Sequence, residues 1–116
     1  MIYNIVEKDK KKIISSKARV ADNFLLRLIG LMFRKDMAQD EALIFYKASS
    51  IHTCFMRFAI DIVFLDKNNQ IIRICPVLKP WRFVICSNSY ITIELPASRS
   101  LENSLKVGDF LQIVAS

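Results

Sequence analysis

The chain has 116 residues, of which 53% are hydrophobic and 24% charged, and its formal net charge is +6. This length and hydrophobic content suit one folded domain that needs neither a metal nor disulfides to fold, and they exclude a disordered or fibrous protein. No apolar stretch reaches the roughly 18 residues of a membrane-spanning helix, because Arg27 and Arg34 interrupt the most hydrophobic segment. We therefore expect a single domain over residues 1–116 that has no membrane segment.

The first elements are predicted to be a β-hairpin and then the main helix. Two apolar runs flank the charged segment 7–12, which predicts a hairpin over residues 1–17 with a charged tip. From Asp22 the apolar residues recur at helical spacing as far as Met32, and the other face of this helix carries Arg27, Gly30 and Arg34. This periodicity predicts a helix in the N-terminal half of the chain.

The rest of the chain is typical of short strands joined by turns. Strand-forming residues fill the segments 42–46, 51–58, 60–65, 70–77, 83–86, 90–95 and 110–114. A short helix is predicted after Pro96, with Ser98 as its N-cap and with Leu101 and Leu105 packed inward. The expected fold class is α+β and mainly β, with a bent antiparallel or mixed sheet that is partly barrel-like, one helix in the N-terminal half and one short helix in the C-terminal half.

The cysteines and the first residues favour a cytoplasmic location. Cys54, Cys75 and Cys86 are odd in number, lack a Cys-x-x-Cys spacing and stand among apolar residues, as is typical of buried, reduced thiols. The short apolar run at the start precedes the first charges, which is the reverse of the order in a secretory signal. We therefore predict a cytoplasmic protein.

One stretch, residues 50–61, concentrates the side chains that could carry chemistry. A strand there would put His52, Cys54 and Met56 on one face, and these ligand types together suit copper. Along a straight strand, however, His52 and Met56 would lie roughly 13 Å apart, too far to share one ion. We therefore predict neither a metal nor another cofactor.

Two polar residues of this stretch are candidates for binding or acid–base chemistry. His52 is the only histidine, and its side chain is the type that titrates near neutral pH. Asp61 stands between two isoleucines, where a carboxylate is costly to bury unless it is paired. Arg57 is the nearest partner in sequence, and such a pair would fix a strand bend as readily as it would serve catalysis.

A second candidate is the loop around Trp81, which stands between Lys79 and Arg82. A tryptophan between two cations can wrap an anionic ligand or stack on a base, although a tryptophan in such a loop can also simply close a core. The other basic residues are scattered among acidic ones, so the sequence does not favour nucleic acid as a partner.

These residues belong to motifs that resemble the domain-of-unknown-function family 192 over about residues 18–115. Five segments occur in the family's order: 27–34, 52–66, 79–82, 93–97 and 105–109. The positions that resemble the family's pattern are Arg27, Gly30, Arg34, His52, Thr53, Met56, Asp61, Asp66, Glu94, Gly108 and Asp109. The resemblance implies a small, mainly β domain with a helix near the start, and it implies no established reaction. Cys54 is not part of the pattern.

The leading functional hypothesis is a binding module for an anionic small molecule or an acidic peptide. Its candidate binding residues are His52, Thr53, Arg57, Asp61, Trp81, Arg82, Arg27, Arg34 and Glu94. One alternative is a hydrolase-like enzyme that uses His52 with Asp61 or Glu94 as an acid–base pair. Another is a protein-interaction module without a small-molecule site. The sequence leaves the oligomeric state open.

Overall fold

A computed structural model describes residues 1–22 and 30–116 of the chain. Within these residues it has nine strands and one short helix, and its bounds are β1 Tyr3–Glu7, β2 Lys12–Val20, β3 Glu41–Tyr46, β4 Ser50–His52, β5 Ile60–Leu65, β6 Ile71–Leu78, β7 Phe83–Ile85, β8 Ile91–Pro96, α1 Arg99–Glu102 and β9 Leu111–Ala115. The described helix has four residues, and no described helix has the length and hydropathy needed to cross a membrane.

Seven strands form one curled sheet in the order β6-β5-β8-β3-β2-β1-β9, and β4 pairs with β7 in a separate two-stranded ribbon. Neighbours in the large sheet are antiparallel except β2 and β3, which are parallel. The two edge strands approach each other at one end, where Gln70 bridges to Phe110 and the Leu111 N–H donates to the Asn69 carbonyl at 2.9 Å. The sheet is therefore a half-barrel, as the mainly β prediction anticipated.

The central strands β5 and β8 are buried along their whole length. The side chains of β5 point alternately to the two faces of the sheet and therefore belong to two separate apolar clusters. Val63 and Leu65 join one apolar cluster, and Ile60, Ile62 and Phe64 join a second cluster on the other face. The same alternation in β8 directs Ile91, Ile93 and Leu95 into the first cluster. The intervening Thr92 and Glu94 are therefore polar side chains buried on the opposite face.

The predicted N-terminal-half helix falls largely on residues 23–29, which lie outside the described residues. Its expected continuation to Arg34 is wrong, because residues 30–33 form turns and Phe33 has a left-handed φ of 68°. Helical φ and ψ cannot continue through such a residue.

Three other predictions are corrected. The strand expected over residues 51–58 ends at His52, and Phe55 follows with a left-handed φ of 64°. The helix after Pro96 is confirmed, but Leu101 is exposed, and the Ser98 side chain makes no capping hydrogen bond. The three cysteines are free, as expected, but each is only partly buried.

Candidate functional site

Asp61 is fully buried, and its carboxylate accepts hydrogen bonds from backbone N–H groups of two segments that are distant in sequence. Oδ1 accepts hydrogen bonds from the Val77 N–H at 2.8 Å and the Ser98 N–H at 2.9 Å. Oδ2 accepts from both the N–H and the hydroxyl of Ser100. Asp61 thus caps helix α1 from another strand and holds the bulge at Val77, where φ is 48°. Its partners are these groups and not Arg57, whose side chain is exposed.

Thr53 is also fully buried, and it fastens the loop that carries Trp81. Its hydroxyl donates to the Lys79 carbonyl at 2.7 Å and accepts from the Arg82 N–H at 2.9 Å. Its own N–H donates to the Arg82 carbonyl, and its carbonyl accepts from the Trp81 N–H, at 2.9 and 3.0 Å. These bonds connect the end of β4 to the loop before β7.

The basic candidates lie on the surface. Arg57 and Arg82 are exposed, as is Trp81. Arg34 donates to both carboxylate oxygens of Glu41 at 3.0 and 3.1 Å, and this hydrogen bond lowers the pKa of Glu41 below its ordinary value. Arg27 lies outside the described residues. The structure therefore does not gather the predicted cations into one pocket.

Glu94 differs from the other candidates that the structure describes because it is buried without a complete set of partners. It lies in the middle of β8, where its cross-strand neighbours are Leu43 and Ile62. Only 4% of the residue is exposed, and its Oε1 atom makes no hydrogen bond within the described part of the chain. Burial raises the pKa of Glu94 to about 8, from an ordinary value of 4.5. At neutral pH its carboxyl group is therefore mostly protonated.

Glu94 lines a small cavity of about 110 Å³ together with His52. Most of the remaining wall is apolar and comes from the turn after Gly30, from strands β3 and β4 and from Met56. Ser50, which is exposed, also contributes to the wall, so the cavity reaches the surface. The structure thus brings together two of the predicted site residues, one from β8 and one from the β4–β7 ribbon.

The hydrogen bonding of His52 determines which proton it presents. Its Nδ1 atom accepts a hydrogen bond from the Cys54 N–H at 3.2 Å. An imidazole nitrogen that accepts carries no proton, so this bond assigns the proton of the neutral ring to Nε2. Glu94 and His52, which both line the cavity, therefore each have a hydrogen to donate, on the protonated carboxyl and on Nε2.

Three exposed aromatic rings lie beside the cavity, and of these only Trp81 was predicted as a site residue, while Phe33 and Phe55 were not. The ring centroids of Phe33 and Phe55 are 5.6 Å apart, and those of Phe55 and Trp81 are 4.7 Å apart. All three residues have a left-handed φ, of 68°, 64° and 64°. The repeated pairing of Arg with aromatic residues in segments 55–58 and 81–83 was the available signal in the sequence, but it does not reveal that the two loops meet.

The sequence of the chain is similar to a family model and to proteins from archaea. The family model for DUF192, described as "Uncharacterized ACR", matches residues 5–113, which include most of the N-terminal hairpin. The chain belongs to the DUF192 family. It is 40% identical to a UPF0127 protein of Pyrococcus furiosus, with 89% of this chain and 91% of the relative covered. Its identity to a UPF0127 protein of Pyrococcus horikoshii is 37%, with 88% and 90% covered.

Two crystal structures share the fold of this DUF192 domain. A protein of unknown function from Novosphingobium aromaticivorans superposes with a TM-score of 0.81 at 15% identity, covering 95% of this chain and 82% of that one. A protein named provisionally as a transcription regulator, from Sinorhizobium meliloti, gives 0.82 at 18% identity, with 96% and 91% covered. At these identities the likeness concerns the fold alone.

Eight of the eleven positions that resemble the DUF192 pattern fall into two groups in the structure. Gly30, His52, Met56 and Glu94 line the cavity. Thr53, Asp61, Asp66 and Asp109 accept hydrogen bonds from backbone N–H groups at turns and strand ends. The cavity is therefore the candidate site, and the second group maintains the fold around it. Among the described residues, no three His, Cys, Asp or Glu side chains are grouped closely enough to hold a metal ion.

Proposed function

We propose that this DUF192 domain binds a small carboxylate-bearing molecule in the cavity between Glu94 and His52. The observation that carries the proposal is the buried Glu94 carboxyl, whose Oε1 atom lacks a partner among the described residues and whose pKa is raised to about 8. A buried polar atom without a partner is costly, and a ligand that supplies the missing hydrogen bond removes that cost.

The hydrogen-bond donors of Glu94 and His52 favour a ligand that accepts hydrogen bonds. At neutral pH both Glu94 and His52 have a hydrogen to donate, and the two oxygens of a carboxylate can accept both. An ammonium ion would instead require Glu94 to ionise, against the effect of its burial. The net charge of +6 also steers anions towards the protein.

The size of the cavity limits the part of the ligand that enters it. An apolar cavity of roughly 150 Å³ admits benzene, which has six heavy atoms. The cavity of about 110 Å³ is therefore suited to a group of about five heavy atoms, such as a short-chain carboxylate. An acidic peptide would have to enter through one terminal or side-chain carboxylate.

Titration of the protein with acetate, propanoate and lactate, followed by calorimetry and by NMR of the Glu94 side chain, tests this proposal. We expect saturable binding that shifts the Glu94 resonance and weakens by about tenfold per pH unit above about pH 8, where Glu94 loses its proton. Acetamide and ethylammonium, the neutral and cationic analogues, should bind more weakly. Stronger binding of ethylammonium, or no shift at Glu94, would contradict the proposal.

A matched pair of variants identifies the group responsible. Glu94→Gln keeps the shape and a hydrogen-bond donor, so acetate should still bind, but without the loss above pH 8. Glu102→Gln makes the same change at an exposed position of α1 and should leave the pH dependence unchanged. Loss of the pH dependence in both variants would show that it does not arise from Glu94.

The shared cavity also favours a second candidate function, acid–base catalysis by His52 and Glu94. In a hydrolase-like reaction His52 Nδ1, the unprotonated nitrogen, would exchange its bond from the Cys54 N–H for one from water and take the proton of that water, while Glu94 donates its proton to the leaving group. A buried acid with a pKa near the working pH is suited to that donation. Turnover of small esters that is lost in both Glu94→Gln and His52→Gln, but kept in Glu102→Gln, would support catalysis. Binding of acetate without turnover of esters would support the binding proposal only and would contradict catalysis.

A further inference from the structure

An open apolar groove of about 400 Å³ lies beside the cavity. It is lined by Met32, His52, Cys54, Phe55 and Phe83. Two of these residues, Met32 and His52, also line the cavity that contains Glu94. The groove and the cavity therefore adjoin each other at Met32 and His52.

The groove presents aromatic side chains to solvent. Phe55, Trp81 and Phe83 are 50%, 59% and 65% exposed. Phe55 forms the centre of this surface because its ring contacts those of Phe33 and Trp81. A contiguous exposed apolar patch of this kind is characteristic of a binding surface, since an ordinary monomer surface keeps such residues apart.

The backbone holds these rings in place at a conformational cost. Phe33, Phe55 and Trp81 each have a left-handed φ, which is unusual for a bulky side chain. The Phe33 N–H donates to the Phe55 carbonyl at 3.2 Å, and the Trp81 N–H donates to the Thr53 carbonyl at 3.0 Å. The three loops are thus tied together in the arrangement that exposes the rings.

The charges on the two loops that form the groove are all positive. Residues 53–60 and 79–86 contain Arg57, Lys79 and Arg82 and no acidic residue. All three cations are exposed. A ligand that is apolar along its length and anionic at its end complements this surface and the adjacent cavity.

We infer that the cavity and the groove form one two-part site for an amphipathic carboxylate with an alkyl or aryl tail. The carboxylate occupies the cavity against Glu94 and His52, and the tail passes His52 and Met32 to lie against Phe55 and Phe83. This inference rests on the proposed function for its head group. The combined volume lies within the range of about 300–1,000 Å³ that is usual for small-molecule sites.

The dependence of affinity on tail length tests the inference with butanoate, hexanoate and octanoate. Each methylene group that leaves water should raise the affinity by about fourfold. Trp81 is the only tryptophan of the chain and its ring contacts that of Phe55 in the groove, so its fluorescence reports a ligand that lies against Phe55. We expect octanoate to change the Trp81 emission and acetate to leave it unchanged.

Two alanine variants on the same strand provide the control. Phe83→Ala removes a groove ring, whereas Ile85→Ala removes an apolar side chain of similar exposure, 62%, that does not line the groove. Phe83→Ala should weaken octanoate binding by at least fivefold and leave acetate binding unchanged, and Ile85→Ala should change neither. Both side chains are exposed, so both variants should fold.

The outcomes separate this inference from the proposed function. If acetate shifts the Glu94 resonance but the affinity does not rise with tail length, the two-part site is wrong and the head-group site stands. If octanoate binds without shifting Glu94, both are wrong. If the aromatic rings instead insert into anionic vesicles without added carboxylate, or mediate a dimer that Phe83→Ala disrupts, the groove has another occupant and the inference is overturned.

Discussion

Asp61 and Glu94 are buried carboxyl groups on neighbouring strands, yet their surroundings differ completely. Both oxygens of Asp61 accept hydrogen bonds from backbone N–H groups or from Ser100. Glu94 lies between Leu43 and Ile62 and has an oxygen without a partner among the described residues. The Asp61 carboxylate stabilises the fold, whereas the Glu94 carboxyl group still has an oxygen that can bind a ligand. Burial of a carboxyl group alone therefore does not identify a binding site. The number of hydrogen bonds that the protein itself makes to the carboxyl group distinguishes a structural role from a binding role.

The largest expected effect is that of Asp61→Asn on stability. The amide nitrogen cannot accept a hydrogen bond, so two donors that now meet Asp61 would face another donor. We expect a loss of about 5 kcal/mol in the free energy of unfolding, or no folded protein. Urea denaturation measures this loss, with the exposed Asp36→Asn as the control. A loss below about 1 kcal/mol would show that these bonds do not hold the fold.

The next effect is the pH dependence of stability that Glu94 imposes. Its pKa is about 8 in the folded chain and near 4.5 when unfolded, so between these values the folded state holds more protons. The free energy of unfolding therefore falls as the pH rises through this window, by roughly 3 kcal/mol from about pH 5 to 8. Glu94→Gln lacks this loss and should be more stable than the wild type near pH 8. Parallel pH profiles for the two proteins would contradict this expectation.

A smaller effect is expected for Thr53→Val, which keeps the side-chain shape but removes the hydroxyl that links residues 79 and 82. The Arg82 N–H and the Lys79 carbonyl would each lose a partner, at a total cost of about 2 kcal/mol. The Trp81 emission should change, because its loop is released, while the pKa of Glu94 should not. A shifted pKa of Glu94 would show that the Trp81 loop and the cavity around Glu94 change conformation together.

The smallest effect concerns Glu41, a partnered carboxylate at the surface. The Arg34 hydrogen bond lowers the pKa of Glu41, so its contribution to stability is present above the ordinary pKa and is lost as the pH falls through the lowered value. Solvent screens this pair, so Glu41→Gln should cost less than about 1 kcal/mol at neutral pH. Thermal unfolding of this variant at pH 7 and pH 3 measures the difference. A cost above that of Thr53→Val would place surface pairing among the main stabilising forces.

The parts of the fold that follow from local pattern were predicted from the sequence. The hairpin of β5 and β6 is an example, because its apolar runs and its polar turn at residues 66–69 are adjacent in the chain. The early end of β4 was not predicted, since Phe55 follows it with a left-handed φ that an aromatic residue rarely adopts. The cap on α1 was missed because it comes from Asp61, which lies 37 to 39 residues away in the chain.

The site was predicted only in part. His52 and Glu94 were among the nine candidate binding residues, but nothing local distinguishes Glu94 from Asp61. The environment of Glu94 is set by Leu43 and Ile62, which belong to two other strands. The exposed rings of Phe33 and Phe55 were missed because their contact depends on left-handed turns that an aromatic residue rarely adopts.

The most direct test of the role of Glu94 is an NMR titration of its side-chain carboxyl carbon in the ligand-free protein, with Glu94→Gln to assign the resonance. A midpoint of about 8 would confirm a buried, protonated acid that is ready to donate to a ligand. A midpoint near the ordinary value of 4.5 would contradict it, because Glu94 would then be a charged carboxylate at neutral pH and would repel the anion proposed for the cavity.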